Sequence, residues 1–278
     1  MRIRLIALDL DGTLMEPGEN EIHPMVGDTI RRAVKSGVMV TLATGRPFSF
    51  TRPVAAELGL TTPLICYQGG VIQETGGRVL YNATFEIRTL APLLELARER
   101  NWQHYLESDG ALYLMAGLDY DEDLLSIHSL PIHWMPEPAT LASDLPPTNQ
   151  VGVYLPEGVT EAHVAELQEA AGATATVYRT HSKFINITPA GVSKAKALAW
   201  LAMRMDIPQP DVTAVGDSDN DVGMVRWAGL GVAMGNARPS VLEAADWVAP
   251  PIGEAGVAVA LERWVLGRQE PAGGTDSG

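Results

Sequence analysis

The sequence predicts an α/β protein that has a parallel-sheet core and an inserted α+β domain. At both ends of the chain, short apolar runs alternate with helical segments, whereas residues 82–187 carry closely spaced short strands. Apolar runs of this length, bounded by turn residues, are typical of strands buried in a parallel sheet. We therefore predict a discontinuous core at 1–81 and 188–266, an inserted domain at 82–187 and a disordered tail at 267–278.

The core is predicted from two successions of strands and helices. Before the insertion we expect a strand at 2–9, a helix at 24–36, a strand at 38–43, a helix ending at 58, a strand at 64–67 and a hairpin ending near 81. After the insertion we expect a helix at 192–205, a strand at 211–216, a helix from 220, a strand at 230–234, a helix at 238–244 and a strand at 247–249. This alternation predicts a sheet with helices on both faces.

The inserted domain is predicted to mix short strands with two helices. Strands are expected at 111–115, 150–155 and 174–179, helices at 88–100 and 160–171, and a Pro-rich connection at 131–147. Such a mixture is typical of an α+β domain.

Composition limits the partners and the compartment. The chain has 278 residues and a formal net charge of −14, which argues against binding to nucleic acid or to an anionic membrane. A small phosphorylated substrate is not excluded, because a metal and a few fixed cations can outweigh the global charge locally. No apolar run reaches the length of about 18 residues that a membrane span requires, so a cytoplasmic protein is expected. The single Cys66 lies in an apolar run and is expected to be a buried hydrophobe.

The most informative segment is the first apolar run and the two aspartates after it. Asp9 and Asp11 leave the carboxyl end of a predicted strand, where open α/β sheets place their ligands. Two carboxylates about 4 Å apart repel each other by roughly 4 kcal/mol at an effective dielectric constant near 20, so the pair needs a cation or a proton. Asp9 is suited to attack phosphorus and Asp11 to act as acid and base, with an ordinary capping turn as the alternative.

Two further segments are suited to hold phosphate. Thr44, Gly45 and Arg46 follow the second strand and offer a hydroxyl and backbone amides at a helix start, although Thr44 is equally suited to an ordinary cap. Lys194 lies in the first turn of a predicted helix, where a cation opposes the helix dipole and a bound anion would compensate it. A solvated surface lysine is the alternative there.

A fourth segment is suited to bind a hard cation. Asp217, Asn220 and Asp221 belong to a five-residue polar cluster that follows the apolar strand at 211–216. Mg²⁺ takes oxygen ligands, and three aspartates in this cluster supply them. An Asp-rich helix cap explains one of these carboxylates but not all of them.

In this order, the four segments resemble the motifs of the haloacid dehalogenase superfamily, specifically its Cof-like branch with an inserted α/β cap. The resemblance covers the chain up to residue 266, and the stretches 232–237 and 256–258 add to it. It implies a Rossmann-like core, an inserted α+β cap, a Mg²⁺ cofactor and an aspartyl-phosphate intermediate. Asn236, in the first of these stretches, is expected to be structural or to lie near the site.

The resemblance also implies roles for individual residues. Asp9 is the nucleophile, Asp11 is the general acid and base, and Thr44 and Lys194 hold the phosphate. Further substrate contacts are expected from Gly45, Arg46, Gln68, Gly69 and Asn220. The Mg²⁺ ligands are expected to be Asp9, Asp11 through its backbone carbonyl, Asp217 and Asp221.

Two positions depart from the family pattern, and one strand of the cap offers a candidate specificity face. Gln68 stands where the family has an asparagine before glycine, and Ala195 stands where a glycine usually follows the lysine. In the cap, Arg179, His181 and Lys183 alternate, so that a regular strand would place them on one face. That face would meet an anionic or polyhydroxylated leaving group, or else it is solvated.

The resulting hypothesis is a Mg²⁺-dependent phosphomonoester hydrolase that acts on a small phosphorylated metabolite, such as a sugar phosphate or a phosphorylated cofactor. Neither nucleic acid nor a membrane is expected as a partner, and a monomer or a homodimer is expected. A sugar phosphomutase or a dedicated sugar-phosphate phosphatase of the same superfamily is one alternative. A catalytically silent sensor is another, although a pure binder gains little from keeping both a nucleophile and an acid.

Overall fold

The computed structural model describes residues 2–16, 21–125, 130–135, 146–180 and 182–267. By compactness the chain divides into two units: the first comprises Met1–Leu42, Val54–Thr62 and Leu198–Gly278, and the second comprises Ala43–Pro53 and Pro63–Ala197. The domain boundaries expected at 81/82 and 187/188 stay a prediction. The expected disordered tail, from residue 268 onward, lies outside the described residues, as does His181.

The first unit is built on a five-stranded parallel sheet. Its strands are, in spatial order, β14 (Trp247–Val248), β13 (Leu230–Ala233), β12 (Val212–Gly216), β1 (Leu5–Leu8) and β2 (Met39–Leu42). In register, Ala7 of β1 pairs with Ala214 of β12 on one side and with Thr41 of β2 on the other. All residues of β1 and β12 are buried, as expected for central parallel strands. The predicted fold class, an α/β protein with a parallel-sheet core, is confirmed.

Helices alternate with these strands along the chain, as predicted. They are α1 (Pro24–Lys35), α2 (Phe48–Glu57), α6 (Lys194–Arg204), α7 (Val222–Trp227), α8 (Pro239–Leu242) and α9 (Gly256–Leu261). In α1 the buried residues Val26, Ile30 and Ala33 recur at helical spacing, and Pro24 occupies the first turn, where its missing N–H costs no hydrogen bond. In the described part of the chain, no helix has the length and apolar character that crossing a membrane requires.

The second unit contains a six-stranded sheet. Its strands are, in spatial order, β10 (Ala175–Arg179), β11 (Phe184–Pro189), β9 (Gln150–Tyr154), β6 (Gln103–Ser108), β7 (Ala111–Met115) and β8 (Ile132–Met135). All neighbours are antiparallel except β7 and β8, which are parallel. The helices α3 (Ile87–Glu99) and α5 (Glu161–Ala171) share an apolar core with one face of this sheet, and α4 (Glu122–Leu125) follows β7.

A smaller antiparallel sheet in the same unit carries the hairpin that the paired glycines predict. It consists of β3 (Leu64–Cys66), β4 (Val71–Gln73) and β5 (Val79–Asn82). Cys66 is buried at the end of β3, and burial raises the pKa of its thiol to about 12. The thiol therefore stays protonated near neutral pH, and Cys66 is the buried small side chain that was expected.

Two predictions about the insertion are wrong. The Pro-rich segment was expected to be a connection, but Ile132 pairs with Leu112 and begins β8. The strand expected to carry Arg179 and Lys183 is instead a hairpin, because β10 ends at Arg179 and the N–H of Thr180 donates to the carbonyl of Phe184 (3.2 Å). The turn contains no glycine or proline, the residues that usually mark one in a sequence.

Candidate active site

The strand β1 delivers Asp9 to the carboxyl edge of the parallel sheet. The N–H of Asp9 donates to the carbonyl of Val215 (3.1 Å), and the residue is only 4% exposed. The chain then turns, and the carbonyl of Leu10 accepts from the N–H of Leu14 (2.8 Å). Asp11 lies in this turn and is partly exposed. The two predicted acids therefore differ in environment, with Asp9 buried and Asp11 partly exposed.

Asp9, Asp217 and Asp221 form a cluster of buried carboxylates in the first unit. One oxygen of each lies within 4.8 Å of the others, and among the described residues this is the group able to hold a metal ion. Carboxylates this close repel one another, and a hard divalent cation such as Mg²⁺ compensates the repulsion through oxygen ligands. The donor set therefore fits the predicted metal. The side chain of Asp11 is not part of the cluster.

Hydrogen bonds fix the orientation of two of these carboxylates. The hydroxyl of Thr13 donates to Asp217 Oδ1 (2.8 Å), and the hydroxyl of Ser218 donates to Asp217 Oδ2 (3.0 Å). Asp221 Oδ2 accepts from the backbone N–H groups of Asp217 (3.1 Å) and Ser218 (3.0 Å). Hydrogen bonds to an ionised acceptor are among the stronger ones in proteins, so the cluster is organised before any ligand binds.

Gly12 and Asn236 shape the turn that faces Asp217. Gly12 has a φ of +83°, and a Cβ at this position would overlap the carboxylate of Asp217. The side-chain amide of Asn236 donates to the carbonyl of Gly12 (2.8 Å), and its oxygen accepts from the N–H of Ile252 (2.9 Å). Asn236 therefore has the structural role that was one of its two expected roles.

The residues of the polar cluster after β12 have two roles, which are to cap a short turn and to supply carboxylates to the buried cluster. Asp219 is exposed and pairs with Arg238 (2.6 Å), away from the carboxylate cluster. Ser218 and Asp221 form a reciprocal capping box at the short 3₁₀ turn Asp219–Asp221, so the capping alternative describes part of this segment. Asn220 lies in the same turn and is partly exposed. Asp221 thus both caps the turn and joins the carboxylate cluster.

In the second unit, Thr44 is buried and does not cap a helix. Its N–H donates to the carbonyl of Ile65 (2.9 Å), and its hydroxyl accepts from the N–H of Arg46 (3.1 Å). The helix α2 begins at Phe48, after the segment 44–47, so the alternative of Thr44 as an ordinary helix cap is wrong. The guanidinium of Arg46 lies 3.9 Å from the ring centroid of Phe50.

The turn after β3 has an unusual backbone. Tyr67, Gln68 and Gly69 have φ values of +49°, +59° and +99°, a conformation that residues with a side chain rarely adopt. The N–H of Gln68 donates to the carbonyl of Thr44 (3.0 Å), and its side-chain amide packs against Gly45 so closely that a Cβ there would overlap it. Backbone strain of this kind is often found at functional sites. The departure to Gln68 thus fills space beside the segment at 44–46.

The start of α6 lies against the turn after β3. A Cβ on Gly69 would overlap the carbonyl of Ser193, and the hydroxyl of Ser193 accepts from the N–H of Lys196 (3.2 Å). Lys194 is the first residue of α6 and is 1% exposed. The alternative of a solvated surface lysine is therefore wrong.

Arg179 and Lys183, two of the three basic residues proposed as a specificity face, have different neighbours. Arg179 lies 3.6 Å from the carboxylate of Glu161, and Lys183 Nζ lies 5.8 Å from the ring centroid of Tyr154. His181 is outside the described residues. A shared strand face was the argument for their role, so that argument falls away, and their contact with substrate stays a prediction.

A buried acid in β6 was missed. Glu107 is 1% exposed and accepts a hydrogen bond from the side-chain amide of Gln150 (3.3 Å). After burial, the charge of Glu107 is a further cause of the raised pKa of Tyr67 and of Tyr105. Burial raises the pKa of Glu107 to about 8, and the bond from Gln150 opposes this. Residues 103–108 read Gln-His-Tyr-Leu-Glu-Ser, which is neither an apolar run nor an alternation, so the sequence carries no clear signal of a buried strand here.

Glu107 is expected to make stability depend on pH. Between its ordinary pKa of 4.5 and its folded-state pKa of about 8, the folded chain holds a proton that the unfolded chain releases. The stabilisation is complete below 4.5 and is lost as the pH rises through 8, by up to about 1.4 kcal/mol per pH unit. Denaturant titrations at pH 5 to 8 should show a steeper decline for the wild type than for Glu107→Gln. Parallel curves would contradict this.

Comparisons with known proteins identify the family of the chain. The model of the haloacid dehalogenase-like hydrolase family matches residues 6–261. The chain is 31% identical to YxeH of Bacillus subtilis (strain 168), over 95% of this chain and 99% of YxeH. It is 28% identical to the 5-amino-6-(5-phospho-D-ribitylamino)uracil phosphatase YcsE of the same organism, over 95% of this chain and 96% of YcsE.

A solved structure extends the likeness to the whole fold. A haloacid dehalogenase-like hydrolase from Bacteroides thetaiotaomicron has a TM-score of 0.80 and 28% identity, over 94% of this chain and 99% of that one. The resemblance to the Cof-like branch is thereby confirmed. With the family match extending from β1 to α9, the chain belongs to the haloacid dehalogenase-like hydrolases and is an enzyme of the phosphatase type.

Proposed function

We propose that the protein hydrolyses phosphomonoesters of small metabolites in a Mg²⁺-dependent reaction that passes through an aspartyl phosphate on Asp9. The observation that carries the proposal is the cluster of Asp9, Asp217 and Asp221, with Asp11 two residues after Asp9. A nucleophile and an acid at one end of a strand, beside a cation site, are the groups that cleavage of a phosphate ester requires.

In the first step Asp9 acts as the nucleophile. A carboxylate oxygen of Asp9 forms a bond to phosphorus while the bond between phosphorus and the ester oxygen breaks. Asp11 gives its proton to the departing oxygen, so that an alcohol leaves rather than an alkoxide. The partial exposure of Asp11 suits this role, because the side chain can exchange protons with solvent.

In the second step water removes the phosphate from Asp9. Asp11, now ionised, accepts a proton from the water as its oxygen attacks phosphorus. The bond between phosphorus and Asp9 breaks, which releases inorganic phosphate and restores both carboxyl groups. Splitting one difficult displacement into two easier ones is the advantage of the covalent route.

The first unit would hold the metal. Asp9, Asp217 and Asp221 supply carboxylate oxygens, and Thr13 and Ser218 keep Asp217 oriented through their hydroxyls. When bound, Mg²⁺ neutralises charge on the phosphate and on the carboxylate that approaches it. The backbone carbonyl of Asp11 is proposed as a further ligand.

The second unit is proposed to bind the phosphate through Thr44 and Lys194. The buried hydroxyl of Thr44 can donate to one phosphate oxygen, and the buried ammonium of Lys194 supplies a positive charge. Additional contacts are proposed for Gly45, Arg46, Gln68, Gly69 and Asn220. Roles in substrate binding for Arg179, His181 and Lys183 have no support beyond their charge.

The substrate class follows from the family and from the chemistry. The relative YcsE is named for a substrate that carries a phosphoribityl group. Together with the proposed phosphate site, this favours a small phosphorylated metabolite such as a sugar phosphate or a phosphorylated cofactor.

Release of inorganic phosphate from a panel of phosphorylated metabolites tests the proposal. We expect turnover with Mg²⁺, loss of turnover with EDTA and recovery when Mg²⁺ is returned in excess. Turnover that is unaffected by EDTA would contradict the role of the carboxylate cluster. The absence of turnover on every substrate, in a folded protein that binds Mg²⁺, would favour a sensor.

A further inference from the structure

The segment 234–238, which follows β13, contacts both loops that carry the buried carboxylate cluster. The N–H of Arg238 donates to the carbonyl of Asp217 (2.8 Å). The side-chain amide of Asn236 donates to the carbonyl of Gly12, in the turn after β1 (2.8 Å). The segment contains no aspartate or glutamate, so it supports the cluster without supplying a carboxylate to it. We call 234–238 the bridging segment.

The bridging segment is also held by the chain that follows β14. The side-chain oxygen of Asn236 accepts from the N–H of Ile252 (2.9 Å). Gly235 lies against backbone atoms of Ala249 and Pro251, and a Cβ at this position would overlap them. Asn236 therefore connects the turn after β1 to a closely packed part of the first unit.

Gly12 is the residue at which the turn after β1 can most easily change shape. Glycine adopts positive and negative φ values about equally readily, and Gly12 has a φ of +83°. Its N–H donates to the carbonyl of Met15 (2.8 Å), which orients the peptide unit that it shares with Asp11. Asn236 holds its carbonyl, which orients the peptide unit that it shares with Thr13. Because peptide units are planar, these two bonds together fix the φ and ψ angles of Gly12.

Both of these peptide units serve the carboxylate cluster. The first contains the carbonyl of Asp11, which is proposed as a Mg²⁺ ligand. The second leads into Thr13, whose hydroxyl donates to Asp217 Oδ1 (2.8 Å). Mg²⁺ requires nearly ideal octahedral geometry, so its affinity depends on how precisely such groups are placed. A change in the angles of Gly12 would displace the carbonyl of Asp11 relative to the hydroxyl of Thr13.

The hydrogen bonds of Asn236 contribute little to the stability of the fold. Asn236 is exposed, and a hydrogen bond at an exposed position replaces a bond to water, so its net contribution to folding is small. Water that took the place of the side-chain amide would satisfy the carbonyl of Gly12 but would not hold it in one direction. What the side chain adds is therefore the orientation of the turn.

We propose that Asn236 is a positioning residue that sets the affinity of the cluster for Mg²⁺ by fixing the angles of Gly12. The inference rests on the proposed function, since it concerns the metal of that reaction. Asparagine suits this position because its amide nitrogen donates to Gly12 while its oxygen accepts from Ile252. Replacing a residue that orients metal ligands without binding the metal typically weakens metal affinity by about 10- to 100-fold.

Calorimetric titration of the substrate-free enzyme with Mg²⁺ tests the inference. The variant Asn236→Ala is expected to raise the Kd for Mg²⁺ by about 10- to 100-fold. Its melting temperature in EDTA should fall by at most about 5 °C, because water can replace the hydrogen bonds that are lost. A purely structural role would lower the melting temperature and leave the Kd unchanged.

The matched control is Asn82→Ala. Asn82 is an exposed asparagine of β5 in the second unit, and its side-chain oxygen accepts from the side-chain amide of Asn149 (2.6 Å). The substitution removes the same side chain from a hydrogen-bonded position outside the bridging segment. The Kd for Mg²⁺ should stay within about twofold of the wild-type value, as expected for a surface substitution.

The variant Asn236→Asp separates the two hydrogen bonds of Asn236. A carboxylate keeps an acceptor for the N–H of Ile252 but has no donor for the carbonyl of Gly12, so the bridging segment should stay anchored and the protein folded. The titration is made in about 1 M KCl, where the screening length of about 3 Å suppresses the effect of the added charge. We expect a Kd at least about 10-fold above that of the wild type in the same salt.

The outcomes distinguish this inference from the proposed function. A Kd of Asn236→Ala within about twofold of the wild type, or of Asn236→Asp if the alanine variant does not fold, would overturn the inference. An equal loss of affinity in Asn82→Ala, or a fall in the melting temperature of Asn236→Ala well beyond about 5 °C, would overturn it as well. In each of these cases Mg²⁺-dependent turnover by the wild type leaves the phosphatase proposal intact. A wild type that neither binds Mg²⁺ nor releases phosphate would overturn both.

Discussion

The variant Asp9→Asn is expected to release inorganic phosphate at least about 10⁴-fold more slowly than the wild type, because an amide is not a nucleophile for phosphorus. Asn has nearly the same volume as Asp, and Asp9 lies at the end of a fully buried strand, so the fold should be retained. Phosphate release under single-turnover conditions, with the melting temperature measured in parallel, checks both expectations.

The matched control for Asp9→Asn is the same substitution at Asp219. Asp219 is exposed and pairs with Arg238 rather than with the carboxylate cluster, and exposed ion pairs contribute little to stability. Asp219→Asn should therefore keep its activity within about threefold, since removing an exposed pair costs at most about 1 kcal/mol. If both variants lose activity to the same extent, Asp9 has no special role.

The variant Gly12→Ala is expected to lose about 10²-fold in kcat/KM, because small displacements of catalytic groups have effects of this size. Gly12 has a φ of +83°, and the new Cβ would overlap the carboxylate of Asp217, so both the turn and this proposed metal ligand must shift. The strained backbone alone should lower the free energy of unfolding by about 1 to 3 kcal/mol. The dependence of activity on Mg²⁺ concentration should move to higher values.

The variant Gly37→Ala separates the effect of backbone strain from the effect of steric overlap with Asp217. Gly37 has a φ of +90°, but no atom lies within 4 Å of the position that a Cβ would take. This variant should share the loss of stability and retain the activity and the Mg²⁺ dependence of the wild type. Comparable activity of Gly12→Ala and Gly37→Ala would contradict the role of the contact between Gly12 and Asp217.

The parts of the fold that the sequence predicts are those with strong local signals. The buried strand β1 is marked by an apolar run, and Asp9 and Asp11 are conspicuous because they follow this run directly. The helix α1 shows apolar residues at helical spacing. In each case the local pattern and the tertiary environment agree, so neighbouring residues are sufficient for the prediction.

The predictions fail where contacts between residues far apart in the sequence determine the local structure. The hairpin after Arg179 has no turn residue, so its five-residue alternation looks like one strand. The strand β8 lies in a Pro-rich segment and forms by pairing with β7. Glu107 is buried because both faces of β6 are covered, whereas a charged residue in a sequence usually indicates a position exposed to solvent.

The candidate site shows the same contrast between features with a local sequence signal and features that depend on distant residues. Asp9, Asp217 and Lys194 are identifiable from short motifs, but their surroundings are not. Thr13 and Asp217 are 204 residues apart in the chain, and their hydrogen bond depends on the parallel pairing of β1 with β12.

The most direct test of the account is to identify the residue that carries phosphate during turnover. The wild type is mixed with its best substrate and Mg²⁺, quenched in acid within milliseconds, digested and analysed by mass spectrometry. The account predicts one phosphate on the peptide that contains Asp9, labile to hydroxylamine and absent from Asp9→Asn. Rapid turnover without phosphate on this peptide, or with phosphate on another residue, would contradict it.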